Sequence, residues 1–143
     1  MKGDNIPDRH NIARYCRPTH APGGQIQATA FMLRAGEGSL SVNWLEFLNC
    51  LSRDSEIAAL RNIYSAKLGV GAHARIGVLN VGEVRNKVLA ESPDRRNLEV
   101  LHEPQFEDPS HSGIHNLKED DELIAELILE TVRESYPARK LVS

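Results

Sequence analysis

The stretch DPSHSGIH, residues 108–115, sets Asp108, His111 and His115 within eight positions, and the upstream LHE adds His102 and Glu103. Carboxylate and imidazole donors of these types suit zinc or another first-row divalent metal. A His-x-x-x-His pair shares one ion when it lies on a helix, because residues i and i+4 are neighbours there. Pro109, Ser112 and Gly113 argue against a regular helix, so sharing would need a short turn that also gathers His102. The plainer expectation is a polar turn, since Asp and Ser side chains accept backbone N–H bonds and Pro fixes the next φ. A divalent metal at Asp108, His111, His115 and His102 is allowed by donor type, but the pattern does not require one.

A second constellation is HNIARYC, residues 10–16. On a strand, His10, Ile12, Arg14 and Cys16 share one face. Arginine beside histidine can hold an anion while the imidazole moves a proton, which makes His10, Arg14 and His111 the catalytic candidates. An arginine on a half-buried face needs a carboxylate or a ligand, and Glu46 is one protein partner that could serve. In SLSVNWLEF, Ser41, Asn43 and Glu46 fall where a strand pattern turns helical. Free N–H groups at such a junction suit an anion, which marks these three as ligand-binding candidates. The phosphate-loop pattern GxxxxGK[ST] is absent, so Asn43 as helix cap, Trp44 as core and Glu46 as first-turn acid is the simpler expectation.

Glu122, Glu126, Glu130 and Glu134 recur every four residues opposite an apolar stripe. If helical, they form an acidic ridge whose like charges repel slightly, a feature that suits a basic protein partner. Cys16 and Cys50 have neither CxxC spacing nor a dense disulfide pattern, so reduced, inert thiols are expected.

The elements that must position these residues follow from periodicity. Strands are predicted over 10–16, 25–34, 74–81 and 97–103, with a strand running into a helix near Asn43. Helices are predicted over 54–68 and 82–92. A long final helix is expected through KEDDELIAELILETVRESYPA, with an acidic first turn and Pro137 as its stop. Residues 104–116 are predicted as loop, and 1–8 and 137–143 as loose tails. The result is a single α+β domain over 1–143: a mixed, mostly antiparallel sheet of about four strands with helices packed on one face.

The chain has 143 residues, 41% hydrophobic and 26% charged, with a formal net charge of −3. That balance argues against wholesale disorder and gives no global field to gather nucleic acid. A secretory leader and an apolar membrane span are not apparent, so a cytoplasmic protein is expected. Two functions compete. The first is an accessory or regulatory module that binds another, basic protein without catalysis of its own. The alternative is a small hydrolase or transferase acting on a phosphate-containing substrate through an Arg/His site.

Overall fold

The computed structural model describes residues 3–139. Its strands are β1 (Asp4–Asn5), β2 (Asn11–Cys16), β3 (Leu40–Trp44), β4 (Arg75–Asn80), β5 (Glu99–His102), β6 (His111–His115) and β7 (Glu134–Pro137). They form one seven-stranded sheet in the order β1-β5-β6-β3-β2-β4-β7. Every pairing between these strands is antiparallel. The α-helices are α1 (Arg53–Lys67), α2 (Val81–Glu91) and α3 (Glu122–Leu129).

The sheet of about four strands, partly parallel and covered on one face, is therefore wrong in strand number, in pairing and in cover. Ile12, Leu40, Val42, Val100 and Ile114 join one core with Val84 and Val88 of α2 and Ile124, Leu127 and Ile128 of α3. Ala13, Ile76 and Val78 join a second core under Ile57, Leu60 and Tyr64 of α1. The cause is visible in β4, whose RIGVLN buries four consecutive residues. A strand apolar on both sides must be covered on both sides.

Three segments depart from their predicted conformation. Residues 25–34 hold a 3₁₀ turn at Ala28–Phe31, which buries Ala30 and Phe31. Residues 111–115, expected to be loop, are β6, a strand in the middle of the sheet between β5 and β3. The final helix stops at Leu129, and the chain then pairs as β7 with β4, Glu134 opposite Val78 and Tyr136 opposite Ile76. Thr131 closes the helix by donating from Oγ1 to the Ile128 carbonyl at 2.7 Å. Ile128, Val132 and Tyr136 lie four apart, so they fit a helical stripe and an alternating strand equally well. An open edge of β4 decides between the two.

Asn43 does not cap a helix. It lies inside β3, its side chain is buried, and only a 3₁₀ turn at Glu46–Leu48 follows. The predicted amino-terminal arm contains β1 and the buried Ile6, whose N–H donates to the Val100 carbonyl at 2.9 Å. Of the predicted carboxy-terminal tail, Pro137 closes β7 and Ala138 is buried, while 140–143 lie outside the described residues. No helix among the described residues is long and apolar enough to cross a membrane.

Candidate functional site

The site begins with a mismatch in the sheet. Strand β2 pairs with β4 along its whole length, but with β3 only at Ile12↔Trp44 and Ala13↔Asn43. Beyond Ala13 the two strands part, and the Arg14 side chain fills the wedge. Its Nε donates to the Ala30 carbonyl at 2.9 Å and its Nη1 to the Ser41 carbonyl at 2.7 Å. Neither residue is paired with β2, and the guanidinium supplies a donor to each carbonyl. Glu46, expected as a partner for Arg14, instead accepts from the backbone N–H and side-chain amide of Asn11 at 2.7 and 2.8 Å. Among the described residues, Arg14 has no carboxylate in ion-pair contact and its Nη2 has no protein acceptor.

Next to the wedge is a cavity of about 270 Å³ between the carboxy-terminal end of α1 and the β3–β6 part of the sheet. Its floor is a buried polar network. The Asn43 amide nitrogen donates to Asp108 at 2.8 Å and to Ser110 Oγ at 2.8 Å, and the Tyr64 hydroxyl donates to Asn43 Oδ1 at 2.8 Å. Lys67 donates from Nζ to Asp108 Oδ2 at 2.9 Å. Asp108 is fully buried, and Asn43 and Tyr64 are 3% exposed. Burial, followed by the charge of Asp108, pushes the Tyr64 phenol far above its ordinary value, so the hydroxyl keeps its proton and remains a donor.

The rim is cationic. Arg17, His20 and Arg34 come from the two loops that join β2 to β3, and they face the same space as Arg14 and Lys67. Among the described residues Glu37 is the only acid on the lining; it accepts from the Arg34 backbone N–H at 2.8 Å, and its carboxylate lies 3.6 Å from Arg34 Nε. A shallower groove of about 530 Å³, walled by Pro18, Gly69 and Gly71, shares Tyr15, Arg17 and Leu68 with the cavity. Burial, then the charges of Arg14, Arg17 and Arg34, lower the pKa of His20.

Comparison with known proteins finds no family model, no curated protein and no solved structure that matches this chain.

Of the candidates named from sequence, Arg14, Ser41, Asn43 and His111 line this one cavity, and Asp108 lies in its floor. The other candidates are placed elsewhere. His10 accepts from Trp44 Nε1 at 3.0 Å, and His102 lies against Trp44 and Phe47 with its Nε2 on the Pro109 carbonyl. His115 contacts the Glu103 carboxylate at 2.7 Å. His111 and His115 sit on the same strand face, but four strand residues span roughly 13 Å. Asp108, His111, His115 and His102 thus do not converge. Among the described residues no three His, Cys, Asp or Glu side chains are grouped to hold a metal ion.

The four glutamates do not share one helix face. Glu122 and Glu126 are exposed on α3, and Glu130 follows its end and pairs with Lys87 at 3.1 Å. Glu134 is on β7, paired with Arg53 at 3.1 Å. Both cysteines are free, and burial pushes the Cys16 thiol up to about 11, which leaves it a poor nucleophile.

Sequence reasoning missed Arg17, His20, Arg34, Tyr64 and Lys67. No contiguous basic run marks them, because three separate segments contribute. The residual signal is local: RPTH and MLRAGEG each put an arginine beside turn residues.

His20 carries a measurable consequence. A folded value below the ordinary 6.5 means that the unfolded chain binds more protons as the solution is acidified. The associated stability is present above that ordinary value and is lost as pH falls from there through the folded value. Urea midpoints measured at pH 7 and again near pH 5 are expected to fall further for the wild type than for His20→Gln. Equal falls in the two proteins would contradict the cationic environment described for His20.

Proposed function

We propose that the protein binds a small phosphate-containing molecule in the cavity beside Arg14 and acts on it as a hydrolase or transferase. The observation that carries this proposal is the convergence of Arg14, Arg17 and Arg34 on one concavity with Glu37 as its sole lining acid among the described residues. Guanidinium groups present planar forks of donors that match phosphate oxygens, and several of them together exceed what one carboxylate needs. The cavity is at the small end for ligand sites, which fits a phosphate group with a short attachment. Any apolar part of the molecule would extend along the adjoining groove.

The first reading from the sequence, a non-catalytic accessory module for a basic protein, rested on the lack of a complete catalytic signature, on loose termini and on an acidic ridge, and the glutamates of that ridge are divided between a helix, its end and a strand. His111 on the cavity wall favours the enzymatic reading instead.

Calorimetric titration with inorganic pyrophosphate at low salt tests the proposal. Saturable binding is expected that weakens as salt rises. Arg17→Gln and Arg34→Gln are each expected to reduce affinity roughly tenfold, since bonds to charged groups contribute about 1.5–3 kcal/mol. Absence of saturation, or unchanged affinity when both arginines are replaced, would overturn it.

A further inference from the structure

On the wall of the cavity, two side chains from neighbouring strands meet. Ser41 on β3 and His111 on β6 point to the same face of the sheet, because Asn43↔His111 and Ser41↔Gly113 are paired positions. Ser41 Oγ lies 3.2 Å from His111 Nε2, within reach for transfer of a proton. The other ring nitrogen, Nδ1, is 2.9 Å from the backbone carbonyl of Glu103. A carbonyl can only accept, so Nδ1 carries the hydrogen and Nε2 of the neutral ring is left as an acceptor. The Ser41 hydroxyl must then be the donor. A serine bonded to a base, and that base oriented by a third group, is the arrangement of an activated nucleophile.

Ser41 is exposed to the cavity, and the Arg14 guanidinium bonded to its carbonyl sets a fixed positive charge beside the place where an oxyanion would form. We propose that Ser41 is a nucleophile with His111 as its general base, and that the substrate is a carboxylic ester of the phosphate-containing molecule. Ser41 Oγ bonds to the acyl carbon while its proton passes to His111 Nε2. The bond from that carbon to the alcohol oxygen then breaks, and the departing oxygen takes the proton from Nε2. Water repeats the sequence at the acyl-serine, releasing the carboxylate and restoring the serine hydroxyl.

An acyl centre suits one base better than a phosphoryl centre does. In-line displacement at phosphorus puts the leaving group opposite the nucleophile, out of reach of a histidine on the nucleophile's side. The choice of ester rests on the anion-binding proposal, whereas the dyad itself does not.

A neutral fluorophosphonate tests the dyad without needing the arginines. Its phosphorus bonds to an activated serine oxygen, fluoride leaves, and the serine proton goes to the base. Mass spectrometry of the intact wild-type protein and its peptides is expected to find one adduct, on Ser41, absent from Ser41→Ala. His111→Gln is expected to slow labelling by roughly 100-fold or more, the usual effect of a positioned base. His73→Gln, an exposed histidine outside the cavity, is expected to label like the wild type. No adduct on Ser41, or equal labelling rates in the folded wild type and His111→Gln, would overturn the dyad. Pyrophosphate titration of the same samples reports separately on anion binding.

Discussion

Replacing Arg14 with methionine is expected to weaken anion binding at least tenfold and to destabilise the fold at the same time. The side chain is both the wedge between β2 and β3 and the cation at the cavity edge. Its loss leaves the carbonyl of buried Ala30 without its donor, and an unsatisfied buried polar group costs about 1–3 kcal/mol, while the exposed Ser41 carbonyl can turn to water. Burial lowers the pKa of this guanidinium, and the charge of a bound anion would offset that cost. Arg14→Lys restores the charge but not the fork, because one ammonium cannot reproduce two bonds made by Nε and Nη1. The expected order in urea midpoint is therefore wild type, then lysine, then methionine. Pyrophosphate affinity should fall at least tenfold in both variants. A methionine variant as stable as the wild type would show that the wedge is not supported by Arg14.

Asp108→Asn is expected to be the most destabilising substitution at the site. Asp108 accepts from Asn43, Ser110 and Lys67 while fully buried. An asparagine of the same shape has one oxygen in place of two, so its amide group must face the Asn43 amide or the Lys67 ammonium, donor against donor. Breaking a buried ion pair from one side costs about 3–5 kcal/mol, and Lys67, 21% exposed, recovers some of that by turning to water. Lys67→Met added to Asp108→Asn is expected to return part of the loss, because the two groups are directly coupled. Additive losses in a double-mutant cycle would contradict the network.

How much of this was legible in the sequence depends on what each residue had to signal. Helix α1 was legible because Ile57, Leu60 and Tyr64 repeat at helical spacing and Gly69 follows closely. Strand β6 was not, because Pro109 and Gly113 resemble turn residues. Gly113 stands there because the Glu103 carboxylate and Ser39 occupy the space a side chain would take. Strand β7 was hidden by the coincidence of two periods at Ile128, Val132 and Tyr136, which only the open edge of β4 resolves. The second helical layer was signalled by the unbroken apolar run of β4, Ile76 to Leu79.

At the site, Arg14, Ser41, Asn43 and His111 were legible one by one from their chemical types. Their meeting point was not. Strands adjacent in this sheet are often distant in the chain, as β3 and β6 are, and no local pattern records that pairing. The arginines of the rim were obscured for the same reason, since Arg17 and Arg34 are separated by a run of neutral turn residues and His20. His102, His111 and His115 drew attention to a metal, but His102 on β5 faces the opposite side of the sheet from His111 and His115, which stand four residues apart on β6.

The central claim is that the cavity beside Arg14 holds a phosphate-like anion. The most direct measurement is an anomalous difference map from crystals soaked in sodium tungstate, a heavy tetrahedral oxyanion. The account predicts a leading peak inside the cavity, within hydrogen-bonding distance of Arg14 and at least one of Arg17 and Arg34. Tungstate found only elsewhere on the surface, with nothing in that cavity, would contradict it.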